Sequence, residues 1–331
     1  MTDGVDVSGV TVFDAHPGAV DLRAEVLAGF SVRPRAVPPK FFYDEPGSQL
    51  FDRICELPEY YQTRTEMGIL QAALPELVQL LGTECMLVEL GSGASRKVRL
   101  LLEQLRPDAY VGVDISREFL LTSTRALAQD YPWLEVHAAC VDFSTGLAIP
   151  HRDLDMHKVA FYPGSSIGNF APEEAVHLLK DVARLVGDEG HLLIGVDLKK
   201  PVGILDAAYN DAAGVTAAFN LNLLHRIRRE LDTDLEPDTF EHYAFYNPLE
   251  GRIEMHLISR LCQEVRVEDR TFTFEAGEGI HTENSYKYTV AEFGALALNA
   301  GFHQQRVWLD DQALFSVHLL RSQARLNQRK T

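Results

Sequence analysis

Residues 86–90 form an apolar run that passes directly into Gly91-Ser92-Gly93 and then into a basic amphipathic segment, reading LVELGSGASRKVRLLLEQL over 87–105. A strand that enters a helix through paired glycines is the first half of a parallel βαβ unit, so the feature commits the chain to an α/β sheet with helical crossovers. The periodicity on either side agrees. It predicts helix over 65–80, strand 86–90, helix 95–105, strand 109–113 and helix 116–130. Strands 134–139 and 158–162, helix 172–186 and strand 190–196 continue the series, a doubly wound sheet. Pro172, followed by Glu173 and Glu174, is a favourable helix start, because proline loses no hydrogen bond there and acids suit the N-terminal dipole.

The rhythm changes after Lys200. Phe219, Leu223, Ile227 and Leu231 recur every four residues, a helical stripe read as core. RIEMHLISRLCQEVRVEDRTFTFEAG then alternates like antiparallel strands with one solvated face. Helices followed by a meander do not extend a parallel sheet, so 199–288 reads as an inserted second domain. At Thr289 the α/β pattern resumes with a capping box, Thr289 to Glu292, and Gly301 ends that helix. QQRVWLD and ALFSVHLL close the chain as an antiparallel strand pair, the ending of a class I methyltransferase sheet. Upstream, VDLRAEVLAGF reads as a short helix. The proline- and aromatic-rich stretch from Arg35 to Glu66 is expected to hold two helical turns at most.

The glycine turn stops one glycine short of the dinucleotide fingerprint G-x-G-x-x-G, because the third place is Arg96. That glycine allows close helix–strand packing around a pyrophosphate, and its absence weakens a nicotinamide reading. Glu89 just before the turn suits S-adenosylmethionine (SAM) instead, whose methionine end the turn amides and Lys97 would meet. Asp114 ends the second strand, where a carboxylate can accept two ribose hydroxyls. Asp142-Phe143 follows the third strand, where an acid can take an adenine amino group and a ring can cover its face. One acid at a strand end is more often a turn former. Three in register after three successive strands form a set.

Charge narrows the partners. With 31 basic and 48 acidic residues, a net of -17, the chain lacks the cations that bind a phosphate backbone. Four cysteines far apart make neither a CxxC pair nor a disulfide framework, which fits a reducing cytoplasm. The first residues carry no signal-peptide pattern and no apolar run is long enough to span a bilayer. The expectation is a soluble, cytoplasmic monomer acting on a small molecule, with no nucleic-acid or membrane partner and no metal. His281-Thr282-Glu283 resembles half of a zinc deaminase motif, but P-C-x-x-C is missing.

Six stretches together carry a family resemblance: FFYDEPGSQLFDRICELPEYYQTRTE, VELGSGASRKVRLLL, GSSIGNFAP, AYNDAAGVTAAFN, RIEMHL and TENSYKY. The chain resembles the ergothioneine-pathway histidine Nα-methyltransferases from about Arg23 to its C-terminus. The resemblance implies a SAM-binding, Rossmann-like methyltransferase core over 65–198 and 289–325. It also implies an α+β substrate-binding domain from 15–64 and 199–288, and residues 1–14 are expected to be a disordered leader. The implied activity is trimethylation of the α-amine of L-histidine to hercynine, with S-adenosylhomocysteine as by-product.

Position by position, the implied cofactor contacts fall on Tyr60, Gly91, Lys97, Asp114, Asp142 and Phe143, with Gly93 beside them in the turn. Substrate contacts fall on Asn169 and Tyr209 for the amino-acid backbone, and on Glu283 and Ser285 for the imidazole. Tyr43, Phe51, Gly164, Thr216 and Met255 line the same pocket, and Tyr43 and Tyr60 are the expected catalytic residues. Gln62 stands where the family has proline. From the residues alone, Glu283 and Ser285 alternate on a strand and share a face, which is most often a solvent face. Rings at Tyr43, Phe51, Tyr60 and Tyr61 suit a growing quaternary ammonium, although anchoring a loop would also use them. The nearest rival is a relative acting on tryptophan or another amino acid, and a more distant one is an NAD-dependent oxidoreductase. Retention of both Glu283 and Met255 favours histidine.

Overall fold

The computed structural model describes residues 4–5, 9–14, 22–93, 96–142, 146–147 and 156–323. Its strands run β1 Gly4–Val5, β2 Val10–Asp14, β3 Arg35–Ala36, β4 Cys85–Leu90, β5 Ala109–Asp114, β6 Glu135–Cys140, β7 His157–Tyr162 and β8 His191–Asp197. They continue as β9 Phe240–Asn247, β10 Arg252–Ser259, β11 Gln263–Val267, β12 Arg270–Phe274, β13 Gly279–Tyr286, β14 Phe302–Leu309 and β15 Phe315–Ser322. The helices are α1 Leu22–Ser31, α2 Glu45–Ile54, α3 Tyr61–Leu81, α4 Arg96–Leu105, α5 Arg117–Asp130, α6 Pro172–Val186, α7 Val202–Tyr209, α8 Val215–Glu230 and α9 Val290–Asn299. The chain divides into two compact units, one of residues 1–17, 64–198 and 288–331 and the other of 18–63 and 199–287.

In the first unit nine strands form one sheet in the order β1-β2-β6-β5-β4-β7-β8-β15-β14. Strands β2, β6, β5, β4, β7 and β8 are mutually parallel, and β15 joins β8 antiparallel with β14 outside it. The expected α/β sheet with its antiparallel ending is therefore present. Strand order runs outward in one direction from β4 to β6 and in the other from β7 to β8. The switch point lies between β4 and β7, where α/β sheets of this kind bind ligands beyond the strand carboxyl ends. The glycine turn follows β4, and Pro163-Gly164 follows β7. Helix α4 buries Val98, Leu101, Leu102 and Leu105, the i, i+3, i+4, i+7 stripe of an amphipathic helix, in one core with Leu70, Leu77, Leu87 and Phe161. At α6 the Glu174 carboxylate accepts the Ala171 amide at 2.8 Å. Thr289 and Glu292 cap α9 reciprocally.

The leader is a correction. Residues Val10–Asp14 do not stand apart from the fold, since β2 pairs parallel with β6 from Val10↔Val136 to Asp14↔Cys140. The segment VTVF offers β-branched and aromatic residues to a sheet edge that would otherwise be open, and Val10 is fully buried.

In the second unit β3, β13, β10 and β9 form a four-stranded sheet in that order, and β11 and β12 make a separate hairpin. The expected meander is thus split between two sheets. Sequence reading also undercounted helix here. Helix α2 runs for ten residues because Asp44 accepts the Gly47 amide at 2.8 Å and Pro46 sits in the first turn, where it costs no hydrogen bond. A Cβ at Gly47 would overlap the Phe42 carbonyl, so only glycine fits that turn. Phe219 of α8 is buried as core and packs on Phe42, Tyr43 and Phe51.

Candidate active site

In the first unit three strand ends carry the expected cofactor set. Cross-strand register pairs Leu90 with Val113 and Asp114 with Cys140, so Gly91, Asp114 and Asp142 lie at neighbouring carboxyl ends of β4, β5 and β6. The turn does not offer its amides as expected. Gly91 and Ser92 both donate to the Val113 carbonyl, at 2.8 and 3.1 Å, and Gly93 donates to Asp114 Oδ2 at 3.1 Å. The glycines contribute conformation and space instead. Gly91 has φ +67° and a Cβ there would meet nothing within 4 Å; Gly93 has φ +46° and would meet only the Gly91 carbonyl, at 3.8 Å. That open cradle fits a ligand lying against bare backbone.

Asp114 Oδ1 also accepts the Ser116 amide at 2.8 Å. Burial pushes the Asp114 carboxyl above its ordinary value, while the amides of Ser116 and Gly93 pull the other way. Glu89 is buried and accepts the Tyr110 hydroxyl at 2.7 Å. Burial drives its carboxyl up to about 8 against that bond, so it is mostly protonated at neutral pH. Asp142 is buried. Phe143 lies outside the described residues.

Lys97 is expected to meet the methionine carboxylate, and here its ammonium pairs with the buried Glu66. The Glu66 carboxylate also accepts the Gly164 amide at 2.9–3.0 Å. Glu66 therefore ties α3, α4 and the turn after β7 together at the switch point. It was invisible as a site residue because a glutamate early in a helix reads as solvated. Space for its carboxylate comes from Gly195 of β8, where any Cβ would overlap Glu66 Oε1. Gly195→Ala should lower stability by about 1–3 kcal/mol, the usual cost of overpacking. Denaturant titration checks this; an unchanged midpoint would mean the carboxylate moves aside freely. Asn169 closes the short helical turn Ser166–Asn169 in the same unit.

The second unit gathers the remaining expected residues. Tyr43, Phe51 and Tyr60 form an aromatic chain, with ring centroids 5.7 Å apart for Tyr43–Phe51 and 6.3 Å for Phe51–Tyr60. Tyr60 continues to Tyr209 at 6.4 Å. Burial raises the Tyr60 phenol well above its usual value, and Tyr209 adds to this. Tyr60 is a hydroxyl at neutral pH, not a phenolate base.

Glu283 and Ser285 share a face of β13, and it is a buried face, not a solvated one. Met255 of β10 stands directly opposite Glu283, and Ile253 opposite Ser285. Burial raises the Glu283 carboxyl to about 7, with the Lys287 charge opposing the rise. Ser285 Oγ accepts the Tyr209 hydroxyl at 2.8 Å. Thr216 is buried at the start of α8, whose amides at Val215 and Thr216 donate to Asp211 at 2.8 Å. On the opposite face of β10, Glu254 and His256 form a hydrogen-bonded network with Arg252, Asn247 and Tyr286. Among the described residues Lys287, a buried lysine on the Glu283 face, was missed by sequence reading because its neighbours Tyr286 and Tyr288 gave no reason to place it inward.

Residues 22–322 match the family described as histidine-specific methyltransferase, SAM-dependent. The chain belongs to this family. It is 42% identical over 313 residues to histidine N-alpha-methyltransferase of Mycolicibacterium smegmatis, a similarity covering 92% of this chain and 96% of that protein. It is 32% identical over 345 residues to ergothioneine biosynthesis protein 1 of Neurospora crassa, covering 96% of this chain and 36% of that protein. Among solved structures, a SAM-dependent methyltransferase from Clostridium acetobutylicum superposes with a TM-score of 0.50 at 11% identity, over 83% of this chain and 99% of that one. This last likeness shows the methyltransferase fold alone. The SAM-dependent family accounts for a glycine cradle without a third glycine, since its ligand has no pyrophosphate to admit. Among the described residues, no helix is long and apolar enough to cross a membrane.

Proposed function

We propose that this methyltransferase transfers three methyl groups from SAM to the α-nitrogen of L-histidine, giving hercynine for ergothioneine biosynthesis. The observation that carries the reading is Glu283, a buried carboxyl opposite Met255 with Ser285 on the same face. A buried acid needs a partner, and the imidazole N–H supplies one that a phenyl ring lacks and that an indole carries at a different place on a larger ring.

The cofactor supplies a methyl group activated on a sulfonium, and the protein's own residues do the rest. Asp114 takes the ribose hydroxyls, Asp142 and Phe143 the adenine, and Gly91, Gly93 and Lys97 the methionine end, and Tyr60 is a further cofactor contact. Lys97 exchanges or shares its Glu66 partner for a ligand carboxylate. Asn169 and Tyr209 hold the amino-acid backbone, Glu283 and Ser285 the ring, and Gly164, Thr216 and Met255 shape the pocket. In-line displacement needs a lone pair aimed at carbon, so positioning carries much of the rate. The first two transfers are each followed by loss of a proton from nitrogen to water. The third leaves a fixed cation, which the faces of Tyr43, Phe51 and Tyr60 stabilise by about 0.5–2 kcal/mol per contact. Tyr60 acts as a hydroxyl and a ring throughout. The enzyme is read as a cytoplasmic monomer.

Incubating the protein with SAM and L-histidine should give mono-, di- and then trimethylated histidine, modified at the α-nitrogen alone, by mass spectrometry with fragmentation. Methylation on the ring, or of tryptophan in place of histidine, would overturn the reading.

A further inference from the structure

We propose that Lys287 is a positioning residue that fixes the hydrogen-bond polarity of the ring-recognition face, so that the site takes a neutral imidazole as one tautomer. The inference rests on the histidine reading and goes further by naming the residue behind its two ring contacts.

Lys287 follows Glu283 and Ser285 in the strand alternation and is 2% exposed. An ammonium only donates. Its Nζ lies 2.7 Å from Ser285 Oγ and 3.0 Å from the Tyr209 hydroxyl, and 5.0 Å from the Tyr209 ring centroid. Tyr209 in turn donates to Ser285 Oγ at 2.8 Å, as expected of a phenol, the stronger donor of the two hydroxyls. A serine hydroxyl has two acceptor sites and one hydrogen. Lys287 and Tyr209 occupy both acceptor sites, so Ser285 can present a ligand with nothing but a donor. Ionised Glu283 presents nothing but acceptors.

A neutral imidazole carries one N–H and one bare nitrogen, which complements one acceptor and one donor on a single strand face. An imidazolium would set its second N–H against the Ser285 hydrogen. Lys287 has a second effect on the same face, because its charge holds the buried Glu283 carboxyl lower than burial alone would leave it. Without Lys287 the serine regains an acceptor site and can turn its hydrogen into the protein, and Glu283 stays protonated to higher pH. Both changes spoil the donor–acceptor pair.

The test is Lys287→Met, which keeps the length of the stem and removes the charge. The readouts are kcat/KM for L-histidine across pH and calorimetric affinity for S-adenosylhomocysteine. At pH 7.5 kcat/KM should fall at least about tenfold, mostly through KM. The acid limb of the kcat/KM profile should move upward by about one pH unit, a shift that belongs to the enzyme because the substrate's own titrations are common to both proteins. Affinity for S-adenosylhomocysteine should hold, because the strand-end acids are unaltered. A limb that stays at its wild-type position would overturn the proposal and leave Lys287 as packing. If Lys287→Met fails to fold, Ser285→Ala decides: it removes the donor and keeps Lys287 on Tyr209, so kcat/KM should fall with the limb unmoved. Wild-type kcat/KM in Ser285→Ala would refute the donor assignment. If wild-type protein leaves histidine unmethylated, the functional reading fails first, which is a separate result.

Discussion

Asp114→Ala should weaken S-adenosylhomocysteine binding about 100-fold or more, because two charge-assisted bonds at roughly 1.5–3 kcal/mol each are removed. The structure adds a second route to the same loss. The Asp114 carboxylate accepts the Gly93 and Ser116 amides, so it shapes the glycine turn in addition to its proposed ribose contact. Asp114→Asn is the milder variant, because it keeps one of the two amide bonds. An asparagine oxygen can still take the Ser116 amide, while the amide nitrogen in place of Oδ2 can accept neither the Gly93 amide nor a ribose hydroxyl. The alanine variant should therefore lose more than the asparagine variant, and both should retain a wild-type far-ultraviolet circular dichroism spectrum. Titration calorimetry checks the affinities. Equal, near-wild-type binding in both would place the cofactor away from the end of β5.

The sheet was legible because its signals are local. Apolar strand runs, the Gly91–Gly93 turn and the Thr289–Glu292 capping box each act over a few residues, and boundaries fell within a few positions of those observed. Strand β2 was not legible, since five residues in a polar leader become a strand only when the edge of β6 is there to pair with them. The same limit explains Glu66. Its burial depends on Gly195, about 130 positions away, having no side chain, and no local pattern reports that. In the second unit, alternation placed Glu283 and Ser285 on one face but could not say which face is dry. Local pattern favoured solvent, and in the folded chain both side chains are buried. The commitment of the turn amides to Val113 and Asp114 is likewise a tertiary fact, set by how far β5 extends beyond β4.

Substrate choice should turn on Glu283 and Met255 together. The two residues stand opposite each other on β13 and β10, so a change at either alters the same patch of the proposed ring contact. A site that hydrogen-bonds an imidazole nitrogen penalises rings that place no N–H at that point, because its buried polar group is left unpaired. Glu283→Ala removes that penalty together with the attraction, and Met255→Val opens room beside it. The double variant should lose at least about tenfold in kcat/KM for histidine, roughly 1.4 kcal/mol, and gain relative activity on tryptophan. Competition of the two amino acids in one tube, read by mass spectrometry, gives the ratio directly. Stability supplies an independent check on the same carboxyl. Burial lifts Glu283 from 4.5 to about 7, so the folded protein favours its protonated form. Its contribution to stability is present in full below the unfolded value and is lost as pH rises through about 7. Glu283→Gln keeps the shape and cannot ionise, so ligand-free melting temperature should rise relative to wild type at pH 8 and match it at pH 4.5. The gain at pH 8 should come with weaker histidine methylation, since the same ionised carboxylate that destabilises the empty fold is the one proposed to accept the ring N–H. A variant that gains stability at pH 8 while keeping its preference for histidine would leave Glu283 buried but outside the substrate's reach.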